Sequence, residues 1–299
     1  MKRMIKLSFQ EFYAMDEKTE SRAVRVYLLI VLGVCYLLGL LELVTESGKF
    51  YEVLAVGFTF IPVTAAFITR RITGERPRYR LSLRVWKNMK YWLLSAFLPG
   101  VLIAVGTVIY FLVFPENYSG VFRIGLRLGT ETEIIVSHPI VLALLCILVS
   151  AVMIPIQLLE LGEEIGWRGY ILSFQIEKYG ERKAVLINGL EWGIAHLPLI
   201  YFGFNYSSLN PGAPWSNMLV MLLLCLVLGI LFSFVTIRTG NCMYAAVAHG
   251  VVNTIGELPV YLSVNMESGL LGPNPTGLIT MLPLIVLAVI LLLKTDRRG

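Results

Sequence analysis

Apolar residues gather along this chain in blocks of about 20, at 26–44, 51–69, 91–114, 139–159, 183–202, 217–237, 243–261 and 276–293. A helix of that length crosses the roughly 30 Å hydrocarbon layer of a bilayer. The pattern therefore predicts an all-α, polytopic membrane helix bundle with about eight transmembrane helices. A soluble protein with a greasy core does not carry runs this long. Residues 1–25 mix Glu11, Asp16, Glu17 and Glu20 with basic residues and hold no apolar signal-peptide core or cleavage site. They read as a cytoplasmic N-terminal segment, with 26–299 as the transmembrane helical domain and the first apolar run as an uncleaved anchor.

Charge orients the bundle. Of the 25 Lys and Arg, 22 fall on the side of the N-terminal segment, and only Lys49, Arg123 and Arg127 fall on the other. By the positive-inside rule both termini are cytoplasmic, which an even number of spans requires. In a prokaryote the membrane is the plasma (inner) membrane. The stretch 70–92 interleaves basic residues with Leu81, Leu83, Trp86, Met89, Tyr91 and Trp92, which suits a segment lying on an anionic membrane face. Segment 160–182 reads as a short helix at or just inside the cytoplasmic interface, and 201–215 as an external loop. Composition agrees with this: 57% of residues are hydrophobic and 15% charged, with a mean hydropathy of +0.74. The net charge of +5 follows from topology and calls for no nucleic-acid partner. Cys35, Cys146, Cys225 and Cys242 lie in or beside apolar runs without paired metal-ligand spacing, and read as buried free thiols.

Each ionisable group deep in a bilayer costs roughly 2.5–3.5 kcal/mol, so each asks for a reason. Three groups stand out: Glu163-Glu164-Ile165-Gly166-Trp167-Arg168, Trp192-Gly193-Ile194-Ala195-His196 and His249-Gly250-Val251-Val252-Asn253. On helices Glu164 and Arg168, Trp192 and His196, and His249 and Asn253 are each i,i+4 neighbours on one face. Any one alone has a bland reading as an interfacial ion pair or an interhelical hydrogen bond. Together, carboxylates, two imidazoles and an amide are what water activation and oxyanion stabilisation require. A carboxylate in a low-dielectric cavity is a stronger base than in water, and an adjacent Arg opposes that. One glutamate can thus pair while the other does chemistry, and the spacing alone does not say which. His138, beside Pro139 at a span start, reads as an interface residue without a special role.

These residues resemble the three-motif signature of the CPBP family of intramembrane proteases, which includes Rce1-type CAAX prenyl proteases and the bacteriocin-processing and self-immunity (ABI) proteins. The motifs are Glu163-Glu164-x-x-Trp167-Arg168-Gly169, Trp192-x-x-x-His196 and His249-x-x-x-Asn253, with Arg238-Thr239-Gly240-Asn241 as a run-in to the last. Trp192 stands where the family more often has Phe. The resemblance implies a catalytic core at about 139–293 and a cavity open to the cytoplasm and the membrane. It makes Glu163 the general base that activates a water and His196 the group that orients it. His249 and Asn253 would polarise the scissile carbonyl, and Glu164 and Arg168 would brace the first motif. The substrate would be a membrane-associated protein or peptide: a prenylated CAAX protein, a signal or leader peptide, or a membrane-anchored protein. A metal-free mechanism is expected. The alternative is a zinc ion on Glu163, His196 and His249, a two-His, one-carboxylate set that would have to converge from three elements.

Two other functions fit parts of the pattern. A proton- or ion-coupled transporter would use the buried His and Glu residues, with Glu42, Glu191 and Glu257 adding to a path, although no inverted repeat is evident. A catalytically silent immunity or scaffold protein on the same fold would keep the architecture without turnover.

Overall fold

The computed structural model describes residues 17–74, 81–82, 84–119, 121–126, 130–135, 141, 144, 148, 158–264 and 269–295. Its principal helices are α1 (Glu17–Thr45), α2 (Lys49–Gly57), α3 (Ile61–Thr73), α4 (Met89–Val113), α5 (Leu161–Glu164), α6 (Leu172–Tyr179), α7 (Glu181–Tyr201), α8 (Trp215–Thr239), α9 (Met243–Gly256) and α10 (Leu278–Thr295). Between α4 and the C-terminal half, β1 (Val121–Leu126) and β2 (Thr130–Ile135) form an antiparallel hairpin, with Arg123 opposite Glu133. The architecture is the all-α polytopic bundle expected, with this hairpin as an excursion in a connecting loop.

Among the described residues five helices are long and apolar enough to cross a membrane, and α2 with α3, bent by 72°, has the length and composition of a sixth crossing or of a re-entrant pair. The chain is therefore an integral membrane protein. The predicted second span is the broken pair, and the predicted seventh is the 14-residue α9. Almost all of the fourth run, 139–159, lies outside the described residues, as do His138 and Cys146. Lipid-facing positions are readable on the peripheral helices. On α1, Leu29, Leu37, Leu40 and Val44 are exposed, while Ala23, Tyr27, Val31 and Cys35 form a buried stripe at every fourth position.

One local expectation changes. Segment 160–182 is helical as expected, but it is longer than a short surface helix and packs into the bundle. A 3₁₀ turn at Leu158–Glu160, α5, a π-helical stretch at Ile165–Ile171 and α6 follow without a break from 158 to 179, a rod of roughly 30 Å. Residues 166–175 are all buried. The rod folds back on α7 through the tight turn at Gly180, where φ is +77°. Its polar residues looked interfacial because they pair inside the bundle rather than with water. Asn188 donates to the Trp167 carbonyl at 3.0 Å and to Gln175 Oε1 at 3.1 Å, and Gln175 donates to Glu191 Oε2 at 2.6 Å. Two glycines let the rod sit flush on the break between α2 and α3. A methyl at Gly162 would strike the Thr59 carbonyl, and one at Gly166 would strike Pro62 and the Tyr27 hydroxyl.

Candidate active site

The rod carries the first motif, α7 the second and α9 the third. Glu163 and Glu164 are adjacent on α5 and so point apart, which divides their surroundings. Glu163 is buried and faces a cavity of about 320 Å³ that is also lined by Glu160, Trp192, His196, His249 and Asn253. Glu164 and Arg168 lie behind that wall, each wholly buried, with Arg168 Nη1 3.1 Å from Glu164 Oε1. The sequence-predicted residues are thus brought together on two levels: Glu163, Trp192, His196, His249 and Asn253 at the cavity, with Glu164 and Arg168 supporting them.

Glu163, His196 and His249 are each held by a named partner. Trp192 Nε1 donates to Glu163 Oε2 at 2.9 Å, which orients the carboxylate and leaves Oε1 for another donor. His196 Nδ1 lies 2.9 Å from the Trp192 carbonyl oxygen. A carbonyl can only accept, so Nδ1 carries the proton and, in the neutral ring, Nε2 keeps a lone pair. His249 Nδ1 lies 3.0 Å from Glu164 Oε1, so the Glu164 carboxylate joins Arg168 to the third motif. Aromatic packing completes the frame. Trp192 meets both histidine rings edge-on at 5.2 Å, Phe232 stacks on His249, and Arg168 lies 4.4 Å over the Trp192 ring. Asn253, one turn beyond His249, is exposed at the cavity wall.

Glu160 is a site residue that the motif pattern did not single out. It lines the cavity, and its Oε2 is 3.9 Å from His249 Nδ1. The signal was available, because Glu160 stands three residues before Glu163 and shares its helical face. Among the described residues, Glu160, Glu163 and His249 form a set of three potential metal-ligating side chains whose ligand atoms all come within 4.8 Å of one another. The geometry therefore puts Glu160, in place of His196, in the set that fits a divalent cation. Two carboxylates and an imidazole are suitable donors for zinc.

Two of the glutamates that favoured an ion path have structural partners. Glu42 accepts from the backbone N–H groups of Gly48, Phe50 and Tyr51 at 2.7–3.2 Å and so caps α2, while Glu191 is bound to Gln175. Cys35, Cys225 and Cys242 are free and buried.

No curated protein matches the chain as a relative. Residues 138–255, the stretch that carries all three motifs and most of the cavity wall, match the model of the Rce1-like family, the type II CAAX prenyl endopeptidases.

Proposed function

We propose that this protein is an intramembrane endopeptidase that hydrolyses a peptide bond of a membrane-associated substrate with water activated by Glu163. The observation that carries this reading is the meeting of Glu163, His196, His249 and Asn253 around one cavity, with the Glu163 carboxylate steadied by the Trp192 N–H. Glu163 takes a proton from a water as the oxygen attacks the scissile carbonyl, and His196 Nε2 accepts the water's other hydrogen to aim it. His249 and the Asn253 amide stabilise the oxyanion, and Glu163 returns its proton to the leaving amine. Glu164 holds the His249 ring through Nδ1, and Arg168 balances the Glu164 charge. A divalent metal on Glu160, Glu163 and His249 would add Lewis-acid polarisation of the carbonyl and a more acidic water.

The test is comparative proteomics of membranes carrying the wild-type chain or Glu163→Gln, each with and without a chelator. The expected result is loss of the cleaved products in the variant. A variant with wild-type products would overturn the reading. Chelator sensitivity of the wild type assigns a metal to the Glu160 set, and insensitivity assigns metal-free hydrolysis. Proton-coupled flux in proteoliposomes that persists in Glu163→Gln would favour the transporter instead.

A further inference from the structure

The two ends of the bundle differ in charge, and the site sits close to one of them. At one end lie the turns and helix ends that carry Arg70, Arg71, Lys87, Lys178, Arg182, Lys183, Arg238 and Lys294. Packing ties these ends together: the Arg238 guanidinium donates to the Lys294 carbonyl at 2.9 Å, and Asn241 exchanges hydrogen bonds with the Ser82 backbone. At the other end lie the loops 201–215, 257–264 and 269–277. They too are tied together, by Tyr206 donating to the Thr276 carbonyl at 3.1 Å and by the Tyr118–Ser263 bridge.

The catalytic residues lie toward the second end. His196 is five residues from Tyr201, the last residue of α7, and fifteen from Glu181, its first, or about 8 Å against 22 Å. Asn253 is three residues from Gly256, the end of α9, or about 5 Å. Glu163 is sixteen residues along the rod from Tyr179 at the basic end, or about 24 Å. The cavity wall continues past the catalytic groups to Phe204, Asn205, Glu257, Asn274 and Thr276, all in the loops of the second end, and among the described residues takes none from the basic end.

From this geometry we infer that the active-site cavity opens on the non-cytoplasmic face of the membrane, and that its substrates are peptide segments presented from that side. The positive-inside rule puts the basic end in the cytoplasm, so the end of the cavity that Asn205 and Glu257 line faces outward. This is opposite to the sidedness that the family resemblance implied, and it rests on the proteolytic reading only for what passes through the mouth. A secreted leader or the external segment of an anchored protein can reach Glu163 by threading roughly 8–14 Å below the outer ends of α7 and α9. A prenylated C-terminus held at the cytoplasmic leaflet meets the basic end, about 24 Å along the rod from Glu163.

Thiol accessibility tests the inference without requiring turnover. In a chain with Cys35, Cys146, Cys225 and Cys242 changed to Ala, single cysteines are placed at an external loop position (Leu209→Cys), in the cavity wall (Thr59→Cys, with Ala55→Cys as a second position) and at the basic end (Lys178→Cys). Intact cells are treated with a small membrane-impermeant charged thiosulfonate. Leu209→Cys and the cavity cysteine are expected to be modified in intact cells, at least tenfold faster than Lys178→Cys, which reacts only after permeabilisation. A cavity cysteine that reacts only after permeabilisation, or at neither stage while Leu209→Cys reacts, overturns the inference. Because labelling needs no catalysis, such a result would leave the protease reading standing, whereas intact cleavage by Glu163→Gln would remove that reading and leave the sidedness measured.

Discussion

Neighbouring residues in this site do different work because a helix turns by about 100° per residue. Glu163 reaches the cavity and its neighbour Glu164 reaches Arg168 and His249. The spacing of the motif showed that one carboxylate was free to pair, but not which, since both stand only four or five residues before Arg168. Trp192 adds a detail of its own. Its ring packs between the two histidines while its N–H holds Glu163, a task that a Phe at this position cannot perform. Trp192→Phe keeps the packing and removes a hydrogen bond to a charged group, worth about 1.5–3 kcal/mol. A fall in kcat of about tenfold with KM little changed is the expected outcome, read by steady-state cleavage of a reporter peptide; an unchanged kcat would show that the carboxylate is positioned by other contacts. The Glu164–Arg168 pair is buried on both sides, so its two halves are not independent. Arg168→Met leaves an uncompensated carboxylate and should destabilise the protein by about 3–5 kcal/mol. Adding Glu164→Gln should restore part of that loss in detergent thermal unfolding, and a double variant no more stable than Arg168→Met would contradict the coupling.

At the scale of elements, close helix approach depends on where side chains are missing. Gly162 and Gly166 seat the rod against the bent pair α2–α3, and Gly106 of α4 meets the Thr280 backbone of α10 with no room for a methyl. In lipid, helix association relies on such van der Waals contact because the surrounding tails are as apolar as leucine. Gly106→Ala should therefore push α4 and α10 apart and cost about 1–3 kcal/mol, visible as a lower unfolding temperature. Because Gly106 does not line the cavity, kcat per folded molecule should hold; a stable Gly106→Ala protein would argue against close contact between these helices. The rod also explains why element boundaries were hard to read. Its Gln175 bonds to Asn188 and Glu191 of α7 and its Arg168 pairs with Glu164 inside the bundle, so hydropathy marked a break where the helix is continuous.

For the whole molecule, the order and number of apolar runs and the one-sided placement of basic residues already described a polytopic membrane protein with a preferred orientation. That much is a property of the chain's composition along its length: bilayer thickness sets the run length, and membrane insertion reads local charge. The three motifs were legible as well, because residues four apart on a helix share a face wherever that helix packs. What depended on tertiary structure was everything set by packing between distant segments. The break at Phe58–Phe60, the recruitment of Glu160 beside His249, and the split between Glu163 at the cavity and Glu164 behind it each arise from which helix face meets which neighbour. The depth of the site belongs to the same class. Only the antiparallel pairing of the rod with α7 brings Glu163 level with Trp192, because side-chain contacts across a helical hairpin fix axial register and no pattern within either helix records it.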